Sequence, residues 1–211
     1  GIDPHTLVEL EGPWHVTPLL LYVGSFLVLC PRIIRPAYRA KYTFALFLAA
    51  FILIYASDLP PLSRLFSLII SGIGTLVACY STNYIEEDGR KHWYWFFLLL
   101  TFASLAGIVS SDSASSLYGN WELMTFASFF LVAHEADYTA RSAGLKYYVM
   151  CAGGALFMLP GILILSGPGH LAAVDAITAP AAWSGILNLP AGWIQAALIL
   201  CIAGFGVKAG L

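Results

Sequence analysis

Hydrophobic residues fall in long continuous blocks along the chain, and polar residues gather in the short stretches between them. Seven blocks approach the roughly 20 apolar residues that a membrane-crossing helix needs. They run from about Pro18 to Ile34, Tyr42 to Ser57, Leu62 to Ile85, Trp93 to Ser111, Ser113 to Ala133, Lys146 to Ser166 and Trp193 to Leu211. The pattern predicts an all-α integral membrane protein of about seven transmembrane helices. Strict alternation of apolar and polar residues is missing, which disfavours a β-barrel. Residues 1–17 are polar and read as an extramembrane lead-in, without the basic start of a signal peptide. Asp58-Leu59-Pro60-Pro61 breaks the second block from the third, and Pro160 is expected to kink the sixth. Gly167 to Gly192 is an Ala/Pro/Gly-rich connection whose one charge is Asp175. The last block reaches Leu211 with nothing polar behind it, so the chain is expected to be a fragment or one part of a split polypeptide.

Composition removes the soluble classes. Of 211 residues, 59% are hydrophobic and 10% charged, against about 25% charged in a soluble domain. Net charge is uninformative, but the placement of the charges is not. Arg32, Arg35, Arg39 and Lys41 lie between the first and second blocks, Arg90 and Lys91 between the third and fourth, and Arg141 and Lys146 between the fifth and sixth. Only Arg64 falls on the opposite side of an alternating topology. By the positive-inside rule these three turns are cytoplasmic and the N-terminus is outside. Trp93, Tyr94 and Trp95 read as an interfacial aromatic belt. The four cysteines, Cys30, Cys79, Cys151 and Cys201, are widely separated within apolar blocks. They read as small core residues, so neither a metal site nor a disulfide is expected.

Two charges lie deep in apolar blocks. Glu122 follows Trp121 in SASSLYGNWELMTFASFFLVA, and Lys208 stands in IAGFGVKAGL. An ionisable residue at membrane depth costs roughly 2.5–3.5 kcal/mol on the mildest scale, which makes each a functional candidate. The plainer reading of Glu122 is a capping or interfacial acid, with Gly119 and Asn120 breaking the helix beside it. Lys146 and His134, at the ends of their blocks, are candidate further stations for a proton. Lys146 fits an ordinary snorkelling lysine equally well.

From about residue 58 to 211 the chain resembles the antiporter-like subunits of respiratory complex I, of Mrp-type cation/proton antiporters and of group 4 energy-converting hydrogenases. The resemblance is carried by DLPPLSRLFSLIISGIGTLVACYSTNYI, by FFLLLTFASLAGIVSSDSASSLYGNWELMTFASFFLV, by AGLKYY and by GFGVKAGL. It implies a fold of about 14 helices with two inverted five-helix repeats. Residues 18–85 would be three leading helices and residues 93–211 most of the first repeat, truncated in its seventh helix. It also implies that Glu122 and Lys208 are the proton-handling pair. Pro60-Pro61-Leu62-Ser63 replaces the family's usual Asp-Gly-Leu-Ser, and Gly153, Gly154 and Ala155 stand where some members carry an acid. Expected partners are the lipid bilayer, other membrane subunits, protons and Na+, in a bacterial or archaeal cytoplasmic membrane. No cofactor is expected, so any redox chemistry would belong to the assembly.

The physics of such a pair suits a switch. Burial disfavours the charge on each group, while attraction at about 4 Å and an effective dielectric near 20 is worth roughly 4 kcal/mol. The two effects are comparable, so a few ångströms of separation would decide whether Lys208 holds or releases a proton. The expected function is therefore proton or cation/proton translocation. The alternative is a structural or quinone-binding membrane anchor in which the pair is static.

Overall fold

A computed structural model describes residues 16–57, 60–85, 91–135, 137–166 and 189–210. These form seven α-helices and no strand: α1 (Val16–Leu29), α2 (Arg39–Ala56), α3 (Pro61–Tyr84), α4 (Lys91–Val109), α5 (Ala114–Val132), α6 (Tyr138–Ser166) and α7 (Ala191–Ala209). A short 3-10 turn, Pro36–Tyr38, leads into α2. Each apolar block is thus a helix, and the protein is an integral membrane protein of the expected all-α class. Residues 1–15 of the expected 1–17 lead-in and most of the 167–192 connection lie outside the described residues; Val16 and Thr17 already belong to α1.

Five helices, α2, α3, α4, α6 and α7, are long and apolar enough to cross a membrane. Helix α1 has 14 residues, about 21 Å of rise. Helix α5 has 19 residues, but a row of polar side chains lowers its apolar character. Its Ser116, Asn120, Glu122, Thr125 and Ser128 recur through the helix.

The largest departure from the block boundaries is at α6. Its 29 residues begin at Tyr138, two turns before the expected start at Lys146. The cause is a cap within the presumed loop. Asp137 accepts from the Ala140 amide at 2.6 Å through its side chain, and from the Arg141 amide at 3.0 Å through its carbonyl. A capping aspartate contributes about 1 kcal/mol. Gly144 then lets this early part of α6 lie against α5, where a Cβ would stand 3.1 Å from that of Ala133. At about 43 Å of rise α6 is longer than the ~30 Å hydrocarbon core is thick.

The described helices form two compact units, divided at Ser110 and Ser111. In the first, α1 packs chiefly on α4 and α2 on α3. Helix α4 is the centre of this unit, because every residue from Trp95 to Leu100 is buried. A helix enclosed on all sides is apolar all round, and this one is. Trp95 is therefore a core residue and not part of an interfacial belt. Tyr94 is half-buried with its hydroxyl 2.7 Å from that of Ser81, and only Trp93 of the three is exposed. Gly74 makes room for rings: a Cβ there would meet Phe47 at 2.8 Å and Phe102 at 3.2 Å. Those two rings meet edge to face with centroids 5.1 Å apart. Arg64, the basic residue on the minority side, donates to the Tyr55 carbonyl at 2.6 Å. It satisfies a carbonyl left open at the end of α2.

In the second unit α6 is packed on both α5 and α7. Ser113 caps α5, accepting from the Ser116 amide at 3.1 Å. Between α6 and α7 the contact is glycine-mediated. A Cβ on Gly204 would stand 2.6 Å from Met158 Cβ, 2.7 Å from its backbone nitrogen and 2.8 Å from the Gly154 carbonyl oxygen. One on Gly161 would stand 2.7 Å from Cys201 Sγ and 3.1 Å from the Ala197 carbonyl. Small residues that let two backbones approach this closely are a membrane packing device. Helix α6 runs unbroken through Pro160. The Gly154 position is also closed to an acid, since a Cβ there would lie 2.9 Å from Val207 Cβ.

Candidate functional site

All four candidate residues lie in the second unit. Glu122 is well inside α5, nine residues into an unbroken helix. The break at Gly119 and Asn120 does not occur: Asn120 donates to the Ser116 carbonyl of its own helix at 2.9 Å. Glu122 is therefore neither a cap nor a terminal residue of α5. It is half-buried, and Tyr118, one turn earlier, lies within electrostatic and hydrogen-bonding reach of its carboxylate. Residues one turn apart share a helix face.

Lys208 occupies the last turn of α7, which ends in a left-handed Gly210 at φ 87°. A cation is favoured near a helix C-terminus, but the Lys208 ammonium turns to the neighbouring helices. Its Nζ donates to Thr125 Oγ1 on α5 at 3.1 Å and to the Tyr147 hydroxyl on α6 at 2.8 Å. Nζ also stands 5.0 Å from the centroid of the Tyr147 ring, on its hydroxyl side. The Tyr147 oxygen continues to Ser128 Oγ at 2.8 Å. Thr125 is wholly buried and Ser128, Tyr147 and Lys208 are half-buried. This hydroxyl network joins α5, α6 and α7 around one ammonium.

Among the described residues no ion pair joins Glu122 to Lys208. The two belong to one locality nonetheless, because Thr125, which Lys208 touches, is three residues after Glu122 on α5, about 4.5 Å along the axis. Trp121, next to Glu122, meets Phe205 of α7 edge to face with centroids 5.2 Å apart. Lys146 and His134 are not brought into this network. Lys146 is exposed on α6, and its neighbour Tyr147 is the residue that turns inward. His134 follows the end of α5 and is half-buried.

Thr125, Ser128 and Tyr147 were not legible as site residues in sequence. A signal existed for the first two, which stand three and six positions after Glu122 as isolated hydroxyls in an apolar run. Tyr147 resembles any aromatic residue beside a lysine near a membrane surface.

Comparison with known proteins gives a concordant class. The family described as NADH-ubiquinone oxidoreductase (complex I), chain 5 N-terminus, matches residues 58–97. The Na(+)/H(+) antiporter subunit A1 of Staphylococcus aureus strains JH9 and Newman is 34% identical over 145 residues, 68% of this chain. The match spans 18% of those relatives' length. A solved structure of the membrane-bound sulfane sulfur reductase, an archaeal respiratory membrane complex, superposes with a TM-score of 0.71 at 18% identity. That match covers 92% of this chain and 43% of the other, and shows the same fold. The chain belongs to the antiporter-like membrane subunit family of complex I and Mrp-type assemblies.

Proposed function

We propose that this chain moves protons, or exchanges a cation for protons, across a membrane as one subunit of a larger assembly. The observation that carries this reading is the Lys208 ammonium held inside a three-helix unit by Thr125 and Tyr147, with Glu122 one turn from Thr125 on α5. When the lysine is brought against Glu122, the carboxylate accepts one ammonium proton, leaving a neutral amine and a carboxylic acid. Reversal of that transfer restores both charges. The membrane is a bacterial or archaeal cytoplasmic membrane, the N-terminus faces outward, and the partners are other membrane subunits.

Glu122→Gln keeps the shape and removes the proton acceptor. In proteoliposomes holding the assembled complex, proton transport is expected to fall at least about a hundredfold, the scale of a lost acid–base group. Unchanged transport would instead favour a structural or quinone-binding anchor. Orientation is tested separately. Cysteines introduced as Ser115→Cys and Arg141→Cys, both at exposed positions, are expected to react with an impermeant thiol reagent from outside and from the cytoplasm respectively. The reverse pattern would place the N-terminus inside.

A further inference from the structure

The hydroxyl network around Lys208 has a hydrogen-bond polarity that the α5 backbone favours, because its carbonyls can take the Thr125 and Ser128 protons. Thr125 has one hydroxyl proton, which it gives to the Trp121 carbonyl at 3.0 Å. Ser128 gives its proton to the Met124 carbonyl at 2.7 Å. Ser128 Oγ and the Tyr147 hydroxyl stand 2.8 Å apart, and while the serine proton is on the backbone the tyrosine is the donor between them. What remains on the Thr125 and Tyr147 oxygens is lone pairs, and both face Lys208 Nζ at 3.1 and 2.8 Å. The direction runs without conflict from ammonium to tyrosine to serine to the α5 backbone.

An ammonium group offers three donors and no acceptor. It fits this seat, and its bonds there are charge-assisted, about twice the strength of neutral ones. A neutral amine would lose the charge assistance, and its lone pair would gain a donor only if the Tyr147 hydroxyl turned away from Ser128.

We infer that Thr125 and Tyr147, ordered by Ser128, form a proton-retaining seat for Lys208, which the lysine must leave in order to release its proton. This deepens the proton-transfer reading above and rests on it. Lys208 is thereby a two-position group. One position is this seat, and the other is Glu122, three residues before Thr125 on α5, toward which a flexible four-carbon stem would swing. The titratable groups bordering the movement are Glu122 and Tyr118 from α5 and Tyr147 from α6; Lys146 is on the exposed face. Tyr147 and Thr125 are positioning residues, since the proton resides on Lys208.

The test is the pH dependence of proton transport by the assembled complex in proteoliposomes, comparing Tyr147→Phe, Thr125→Val and Thr125→Ser with the unaltered protein. Removing an acceptor weakens the charged lysine, so Lys208 loses its proton at lower pH. The alkaline limb of the pH–rate profile is expected to move about one pH unit toward acid in Tyr147→Phe and Thr125→Val. Thr125→Ser, which keeps the hydroxyl, is expected to restore it. A uniform fall in rate with the alkaline limb unmoved would overturn the seat and leave a purely structural network. Should Tyr147→Phe fail to assemble, the threonine pair decides by itself. If Glu122→Gln abolishes transport while neither profile shifts, the seat fails and the proton-transfer reading stands. Normal transport in an assembled Lys208→Ala variant would sink both.

Discussion

Lys208→Arg is expected to stop transport almost as fully as Lys208→Ala, by at least about a hundredfold, in a complex that still assembles. Arginine keeps the positive charge, so any role limited to neutralising Glu122 would survive the change. It cannot serve as a proton carrier, because a guanidinium holds its proton beyond about pH 12. Geometry works against it as well. The seat presents two oxygens at 2.8 and 3.1 Å to a single nitrogen, and a planar, longer guanidinium cannot place one nitrogen there without displacing the rest of its fork. Assembly, checked in the same membranes by co-purification of the partner subunits, separates bulk from chemistry. Wild-type transport by a fully assembled Lys208→Arg protein would remove the carrier role and leave only the electrostatic one.

Gly204→Val should produce the largest loss of stability among single changes in the second unit. Even the first added carbon would lie 2.6–2.8 Å from Met158 Cβ, the Met158 nitrogen and the Gly154 carbonyl. Two of those neighbours are backbone atoms of α6, so no side-chain rotation relieves the clash and the helices must separate. Overpacking typically costs about 1–3 kcal/mol, and more where backbone must shift. Lys208 is one turn beyond Gly204 on α7, so the same separation draws its ammonium away from Tyr147. Thermal unfolding in detergent is expected to shift down by several degrees, on the order of 2–8 °C, with transport lost in parallel. Gly153→Ala is the matched control. Nothing lies within 4 Å of a Cβ there, so it should be neutral or slightly stabilising through helix propensity. Equal damage from both substitutions would show that the α6–α7 approach is not what Gly204 protects.

Much of the architecture could be read directly from the chain. Apolar blocks of membrane length, separated by Pro, Gly and charge, leave the backbone no economical structure other than the helix, since lipid offers no hydrogen bonds to unsatisfied amides. The seven helices follow, and so does the interest of Glu122 and Lys208, because a charge within an apolar run is costly wherever the run lies. Boundaries were less legible. Asp137 had the identity of a helix cap, but in HEADYTARSAGLK the density of polar residues masks it, and two turns of α6 were read as loop. Trp95 was read as interfacial because position along a helix says nothing about which side neighbours cover. The α6–α7 contact was not legible for a similar reason: Gly154 and Gly161 meet Gly204, Cys201 and Ala197 on the other helix, a pairing visible only once the helices are docked.

The sequence by itself therefore determined the class, the helices and the two charges within apolar runs, because those depend on what each residue costs in a membrane. Only the tertiary structure decided what Lys208 touches. Thr125, Ser128 and Tyr147 are separated from it by 83, 80 and 61 positions along the chain. Thr125 and Tyr147 meet it, with Ser128 behind Tyr147, because the Gly204–Met158 approach sets the spacing of α7 on α6. Only docked helices bring two common hydroxyls to one ammonium.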